Sequence, residues 1–335
     1  MKRKRVIIVL VVSLILLSLL AIWRKYQGKD TEDAKVQKVM DQMGLSINDI
    51  EIPLEDTKDA KHQVLDSYLL INDLHVISTT EDTTEEFWDT INQRRESWAI
   101  TGKGVHSADT WQGIASIVDA MNVDGLLLAG DMVDFGSSNN YQTLQKGLSQ
   151  ISTPIMYARA DHDMATWYNS DGSYTKKDVK AAQEALKGAG DNMTPMEDMM
   201  VWDKGEYCIM GWNNSTSQLS EKGLAKAKET FALGKPIILM THVPINSPVD
   251  EGLSQAARDF DPEHRAKLWG QGCLYEPDET TGEFLRMVLD EDSPVQTVLC
   301  GHLHFAYDVQ LNEHCTEHVF NPSFTGSMTR VTIVR

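Results

Sequence analysis

The chain has 335 residues, of which 41% are hydrophobic and 24% are charged, so it can bury the core of one large domain or of two ordinary ones. Its formal net charge at pH 7 is −18, and no basic patch offsets this charge. Because such a surface repels polyanions, the composition argues against a nucleic-acid partner.

The N-terminal residues predict a membrane anchor. A basic tail over residues 1–5 precedes an uncharged apolar stretch over residues 6–23, which is just long enough to span a hydrocarbon core. A cleaved signal peptide is the alternative, but the stretch is longer than a typical signal sequence and no convincing cleavage motif precedes Arg24. The cationic tail predicts a single-pass signal-anchor in the cell membrane, with a cytoplasmic N-terminus and the remaining chain on the extracytoplasmic side.

Residues 24–66 are polar and mixed in charge, with only a short helical pattern, and we expect them to form a stalk or linker before a domain over residues 67–335. The four cysteines would then lie in a compartment that permits disulfides. Cys208 and Cys300 lie in apolar runs, however, so buried free thiols are at least as good an interpretation, and no disulfide is predicted.

From Tyr68 onward, short apolar runs alternate with polar segments of helical pattern, which predicts an α/β core with buried strands. The predicted strands are YLLI (68–71), GLLLA (125–129), PIMYA (154–158), YCIMGW (207–212), PIILM (236–240) and VQTVLC (295–300). The predicted helices are Trp111–Met121, Tyr141–Gln150, Lys177–Lys187, Ser220–Phe231 and Gly282–Leu289, and a hairpin or meander is predicted from Phe305 to Arg335.

Five of these six strands are followed directly by Asp or His. The residues concerned are Asp73, His75, Asp131, Asp134, Asp161, His162, Asp163, His242, His302 and His304. Open α/β sheets bind ligands at the carboxyl ends of their strands, where these residues lie. Carboxylates and imidazoles without a cysteine suit divalent Mn, Fe or Zn, and seven or eight ligands are more than one catalytic zinc uses. The pattern therefore predicts a site for two divalent metal ions.

The motifs, in order, are D-x-H at Asp73, G-D-x-x-D at Gly130, H-D at His162, a lone His242, and G-H-x-H at Gly301. This ordered set resembles the calcineurin-like metallophosphoesterases over about residues 67–335. The resemblance implies a four-layer α/β/β/α sandwich with two mixed β-sheets. It also implies a dinuclear metal centre that hydrolyses phosphate monoesters or diesters with a bridging hydroxide.

The resemblance also implies a role for each residue. It assigns Asp73, His75 and His304 to the first ion, Asp161, His242 and His302 to the second, and Asp131 to both. His162 takes the role of a catalytic histidine that is not a ligand, with Asp163 or Asp134 orienting its ring. Asp161 stands where the family usually has Asn, so a neutral amide ligand is replaced by a carboxylate.

The substrate is left open by the sequence. The expected partners are a phosphorylated small molecule, a lipid head group, a wall polymer or a nucleotide. Long insertions separate the motifs, and they contain Trp167, Tyr168, Arg265 and Trp269, which either flank a substrate or anchor the loops to the core. Two other functions stay open: a catalytically weak or inactive scaffold protein, and a metal-dependent hydrolase of some other ester.

Overall fold

The computed structural model describes residues 31–54, 63–78, 83–168 and 191–335, together with Lys177, Lys180, Glu184 and Leu186, at which the backbone is helical. The predicted basic tail and the predicted anchor over residues 6–23 lie outside the described residues. In the parts of the chain that are described, no helix combines the length and the apolar character that a membrane span requires.

The strands of the described residues form two mixed sheets, both of which combine parallel and antiparallel pairs. The first sheet has the order β1-β11-β2-β3-β4, and its strands are β1 (Ser46–Pro53), β2 (Val64–Ile71), β3 (Gly125–Leu128), β4 (Ile155–Tyr157) and β11 (Ser327–Val334). The second sheet has the order β5-β6-β7-β8-β10-β9, and its strands are β5 (Met199–Asp203), β6 (Cys208–Trp212), β7 (Ile237–Met240), β8 (Val295–Cys300), β9 (Tyr307–Gln310) and β10 (Thr316–Val319).

The helices are α1 (31–43), α2 (Trp88–Ser97), α3 (Ser107–Ala115), α4 (Ser138–Leu148), α5 (Glu221–Phe231), α6 (Gly252–Phe260) and α7 (Glu279–Leu289). Except for α2, whose Ile91 packs in a separate small cluster with Ile77, Ala99 and Phe135, the helices named here cover the outer faces of the sheets. Helices α1, α3 and α4 pack on the first sheet, and α5, α6 and α7 pack on the second. A third apolar cluster, which includes Leu70, Leu127, Ile209, Ile238 and Leu299, fills the space between the sheets. The result is the expected four-layer α/β/β/α arrangement.

The predicted strands are all present, because each is a run of apolar residues buried on both faces. The helices predicted near α3, α4, α5 and α7 are present with shifted ends, and the described positions of the helix predicted over Lys177–Lys187 are helical. The predicted C-terminal meander is only partly correct. Strands β9 and β10 form an antiparallel pair, but β11 crosses to the first sheet and pairs with β1 and β2. The four cysteines are buried and free.

The prediction of a stalk or linker over residues 24–66 is wrong for the described part of that segment. Strand β1 pairs in parallel with β11 along its whole length, from Ser46 with Ser327 to Pro53 with Val334. Helix α1 packs Val36, Val39 and Met40 against the core beside the first sheet. The domain therefore begins well before residue 67, since these residues bury apolar surface that a linker would leave in water.

Candidate metal centre

The two sheets bring the ends of β2, β3, β7 and β8 together, and most of the predicted metal ligands lie in the turns that follow them. Five of these ligands have left-handed backbone conformations, namely Asp73 (φ 47°), His75 (φ 48°), Asp131 (φ 52°), His302 (φ 73°) and His304 (φ 58°). The only other described non-glycine residue with positive φ is Asn122. This conformation costs about 1 kcal/mol or more for such a residue, and concentrated strain of this kind is typical of functional sites.

The backbone turns are fixed by contacts between the loops. The N–H of Asp73 donates to Gly130 O (3.0 Å), and the N–H of His75 donates to Asp131 O (2.9 Å). The N–H of His302 donates to the carboxylate of Asp73 (3.0 Å to Oδ2). A Cβ at Gly301 would lie 2.2 Å from Asp73 Oδ2, so only glycine permits this approach. These contacts thus fix the turns that carry the ligand side chains.

A first group of donor atoms comes from Asp73, His75, Asp131 and His304, and these atoms all lie within 4.8 Å of one another. Nε2 of His75 and Nε2 of His304 are 3.2 Å apart, and Nε2 of His304 is 3.3 Å from Asp73 Oδ1. Nδ1 of His75 donates to Asp134 Oδ1 (3.0 Å), so the lone pair of Nε2 faces the other donors.

A second group of donor atoms comes from Asp131, His242 and His302, within the same limit of 4.8 Å. Nδ1 of His242 donates to Ala129 O (2.8 Å), which turns Nε2 towards Asp131 Oδ2 at 3.2 Å. Asp131 therefore belongs to both groups.

Buried polar atoms of the second group fit a bound cation. Among the described residues, Asp131 Oδ1 is buried and makes no hydrogen bond, and Nδ1 of His302 lies 3.2 Å from Nε2 of His242. Buried carboxylate oxygens are normally paired, and a cation bound to Asp131 would pair this one. The donor set contains oxygen and imidazole nitrogen and no sulfur, which suits Mn, Fe or Zn.

Burial and the neighbouring charges shift the pKa values of the carboxylates and imidazoles in the site. Burial raises the pKa of Asp131, but the neighbouring histidines, above all His242, outweigh burial and hold the pKa well below its usual range. Burial lowers the pKa of His242, but the charge and hydrogen bond of Asp131 outweigh burial and raise it to about 10, so a cation that binds His242 would take the place of a proton. Burial keeps the pKa of His75 and of His302 low, which favours the neutral imidazoles that metals bind.

A model of the calcineurin-like phosphoesterase family matches residues 67–306. The chain belongs to this family. A comparison with curated protein sequences finds no match.

The calcineurin-like phosphoesterase chain is similar to solved structures at low identity. A dimetal phosphatase from Danio rerio is 11% identical, with 78% of this chain and 89% of that chain covered and a TM-score of 0.48. A phosphopantetheinyl hydrolase from Mycobacterium tuberculosis is 14% identical, with 76% and 89% covered and a TM-score of 0.38. A putative 5'-nucleotidase from Staphylococcus aureus is 12% identical with a TM-score of 0.41; 76% of this chain is covered, but only 48% of that longer chain.

The Asp134 carboxylate of this phosphoesterase orients the predicted metal ligand His75. Arg94 holds this carboxylate in turn, and its role was not predicted from the sequence. Arg94 Nε donates to Asp134 Oδ2 (2.9 Å) and Nη2 donates to Oδ1 (2.6 Å), while Oδ1 also accepts from His75. His75, Asp134 and His162 also lie close enough to be a third candidate metal group. We reject that interpretation, because a guanidinium on the same carboxylate would repel a cation and because hydrogen bonds already account for the contacts.

Replacing Arg94 by Ala is expected to weaken metal binding by about tenfold or more, because the freed Asp134 no longer fixes the ring of His75. Arg94→Lys should restore part of the affinity through charge alone. Arg95→Ala, at the next position of the same helix, is the matched control, since Arg95 pairs with the exposed Glu96 (2.9 Å). Calorimetric titration with Mn²⁺ measures the affinity, and equal affinities of Arg94→Ala and wild type would contradict the role.

His162 lies beside both donor groups. Nδ1 donates to the backbone O of Asp134 (2.7 Å), and its ring centroid is 4.7 Å from that of His75. Burial lowers the pKa of His162, but Asp131, Asp134 and Asp161 outweigh burial and raise it. The sequence predicted that a carboxylate orients this ring, but the backbone O of Asp134 accepts its hydrogen bond instead. The Asp134 carboxylate is 3.7 Å away and is held by Arg94.

Asp163 has a structural use that differs from the predicted orientation of His162. Its carboxylate accepts hydrogen bonds from the N–H groups of Asp131 (3.1 Å), Met132 (2.8 Å), Val133 (3.1 Å) and Ala160 (2.8 Å). Burial and the charge of Asp131 raise the pKa of this carboxyl to about 6. Asp163 thus holds the turn that presents Asp131, since backbone donors occupy its carboxylate.

Asp161 lines a cavity together with Asp131 and His302, but it belongs to neither donor group of the described residues. Its N–H donates to Ser215 Oγ (3.1 Å), and the Ser215 hydroxyl donates to Asp161 Oδ1. Ser215 follows β6, the one predicted strand without Asp or His at its end. Asn214, beside it, accepts from the N–H of His242 (3.1 Å). Asn214 and Ser215 both lie just after a predicted strand, and this position in the sequence could have identified them.

A cavity of about 320 Å³ opens over the metal-binding residues. The described residues that line it are Asp131, Asp161, His162, Trp167, Ala257, Phe260, Asp261, Lys267, Leu274, Tyr275, His302, Leu303 and His304. Of the residues considered as substrate contacts, Trp167 lines this cavity, and its ring centroid is 4.2 Å from that of His162. Tyr168 packs on Phe87 and Phe135, Trp269 packs on Trp212, and Arg265 pairs with Glu276. Tyr168 and Trp269 therefore anchor the loops, whereas the ion pair of Arg265 is exposed.

Proposed function

We propose that the protein hydrolyses phosphate esters, monoesters or diesters, at a centre of two divalent metal ions. The observation that carries the proposal is that Asp131 is common to two compact groups of buried donor atoms. Asp73, His75 and His304 would hold one ion and His242 and His302 the other, with Asp131 between them. Asp161 is the remaining candidate for the second ion.

Bound divalent cations would supply positive charge to the phosphoryl oxygens and lower the pKa of a coordinated water. Next to these cations, His162 can donate a proton. Because Asp134 O occupies Nδ1 of His162, Nε2 is the nitrogen that a substrate in the cavity can reach. A raised pKa favours the protonated ring, which can stabilise the phosphoryl group or protonate the leaving alkoxide.

The experiment is a panel of aryl phosphate monoesters and diesters together with aryl carboxylic esters, incubated with the purified full-length protein after addition of Mn²⁺, Fe²⁺ or Zn²⁺. Metal-dependent turnover that a chelator abolishes supports the proposal. Tight metal binding without turnover of any phosphate ester would instead identify a scaffold, and turnover of carboxylic esters alone would identify another hydrolase.

The chain is further proposed to be anchored in the cell membrane by residues 6–23, with the phosphoesterase domain on the extracytoplasmic side. The support is the basic tail followed by an uncharged apolar stretch in the sequence. Proteolysis of intact cells should then degrade the domain, and full protection of the domain until the membrane is permeabilised would contradict the orientation. Phosphorylated small molecules, lipid head groups, wall polymers and nucleotides are the substrates to test, while the charge of −18 argues against nucleic acid.

Asp161→Asn tests whether the extra carboxylate changes selectivity. A carboxylate at position 161, in addition to those of Asp73 and Asp131, would lower the net positive charge that two dications present to a dianionic monoester. The Asn variant is expected to bind metal less tightly and to raise the ratio of monoester to diester hydrolysis by a few-fold, about 3 to 10 times. Ser215→Ala is the companion variant, since it frees the Asp161 carboxylate from its hydroxyl partner. An unchanged ratio and unchanged affinity in Asp161→Asn would show that Asp161 is not a ligand.

A further inference from the structure

One wall of the cavity is built by a single insertion and is mostly apolar. Helix α6 contributes Ala257 and Phe260, and the loop after it contributes Leu274 and Tyr275. Phe260 is 64% exposed and Leu274 is 41% exposed, although both are large apolar side chains. Apolar surface at the mouth of a catalytic cavity costs free energy in water and is typical of a ligand contact.

The aromatic side chains connect this wall to the metal-binding residues. The ring centroid of Tyr275 lies 5.8 Å from that of His302, and Trp167 stands against His162 on another side. At the rim, Phe260 packs on Phe305 with ring centroids 5.5 Å apart. The organic part of a phosphate ester bound at the metal centre would therefore lie along a surface of rings and alkyl groups.

The charged groups of this wall compensate one another. Of the described residues lining the cavity, Asp261 and Lys267 are the charged ones outside the metal-binding set and His162. They form an ion pair with Lys267 Nζ 2.9 Å from Asp261 Oδ2, and His264 Nδ1 lies 2.8 Å from Oδ1 of the same aspartate. The wall therefore offers no unpaired charge to a polyanionic substrate and few donors or acceptors to sugar hydroxyls or to a base.

We infer that the substrate is a phosphate ester of an apolar alcohol, an alkyl or aryl group that lies against Phe260, Leu274 and Tyr275. This inference rests on the proposed phosphoesterase function and names the substrate class of that same site. Phe260 and Leu274 offer no side-chain donor or acceptor to the hydroxyl groups of a polar alcohol such as glycerol or a nucleoside, whereas an alkyl chain buries apolar surface against them.

The test compares glycerol 1-phosphate, butyl phosphate and octyl phosphate, together with their methyl diesters, with the full-length protein. All are esters of primary alcohols, so the leaving groups have similar chemistry and only the apolar area changes. We expect kcat/KM for the octyl ester to exceed that for the glycerol ester by about tenfold or more, since each buried methylene contributes up to about fourfold. Vesicles that contain phosphatidic acid form a second arm, in which faster hydrolysis than that of free octyl phosphate assigns a membrane lipid as the source.

Phe260→Ser and Leu274→Ser should each lower the ratio of octyl to glycerol ester hydrolysis by about threefold to fivefold. Leu233→Ser is the matched control, since Leu233 is 52% exposed and does not line the cavity. Equal kcat/KM values for all three esters, or ratios that the Phe260 and Leu274 variants leave unchanged, would overturn this inference alone. Absence of hydrolysis of every ester would overturn the proposed function and this inference with it.

Discussion

Asp131→Asn is expected to reduce hydrolysis of aryl phosphates by at least about 100-fold and to lower the amount of bound metal. The carboxylate is nearly isosteric with the amide, so the change removes charge with little change of shape. It matters here because Oδ2 lies 3.2 Å from His242 Nε2 and 3.6 Å from His75 Nε2, one histidine from each donor group. Activity is measured with an aryl phosphate, and metal content by mass spectrometry of the purified protein.

The control for this variant is Asp119→Asn. The Asp119 carboxylate also accepts backbone hydrogen bonds, from Ser152 (3.0 Å to Oδ2) and Thr153 (3.0 Å to Oδ1), but it does not line the cavity. Its replacement should leave activity and metal content unchanged. Full activity and full metal content in Asp131→Asn would remove the basis for a shared ligand between two ions.

His162→Ala is expected to lower kcat by about 100-fold or more while the metal content stays that of the wild type. The reason is that His162 lines the cavity and is held through Nδ1 by Asp134 O, and both donor groups are complete without it. If the imidazolium protonates the leaving alkoxide, the loss should be smaller for a nitrophenyl ester than for an alkyl ester, because a nitrophenolate leaves without a proton.

The metal readout separates this role from that of a ligand. His314→Ala is the control, since His314 donates through Nε2 to Ser293 O (2.9 Å) and is not part of the cavity lining. A loss of metal in His162→Ala would show that His162 is a ligand, and equal losses of kcat for the nitrophenyl and alkyl esters would show that it does not protonate the leaving group.

Much of the site could be predicted because its signals are local in the sequence. A strand buried on both faces is a run of apolar residues, and polar residues directly after such runs mark the catalytic edge of the sheet. The positions of Asp73, His75, Asp131, His242, His302 and His304 follow from this rule. The same rule applied to β6 would have singled out Asn214 and Ser215, but amides and hydroxyls at a strand end carry a weaker signal than Asp or His.

The missed features depend on contacts between distant parts of the chain. Strand β1 has few inward-facing apolar residues and is held by β11, more than 280 positions later in the chain, so its own pattern resembles a linker. Arg94 lies in an insertion without a recognisable motif, and its role depends on a contact with the Asp134 carboxylate, 40 positions later in the chain. The sequence places Asp163 beside His162, but the N–H groups of the turn at Asp131 occupy its carboxylate.

The most direct test of the account is the metal stoichiometry of the purified full-length protein, measured by mass spectrometry together with hydrolysis of an aryl phosphate before and after chelation. We expect two divalent ions per chain, loss of hydrolysis when they are removed, and recovery when Mn²⁺, Fe²⁺ or Zn²⁺ is returned. Hydrolysis that persists in protein freed of metal, or a protein that binds no divalent ion under any of these conditions, would contradict it.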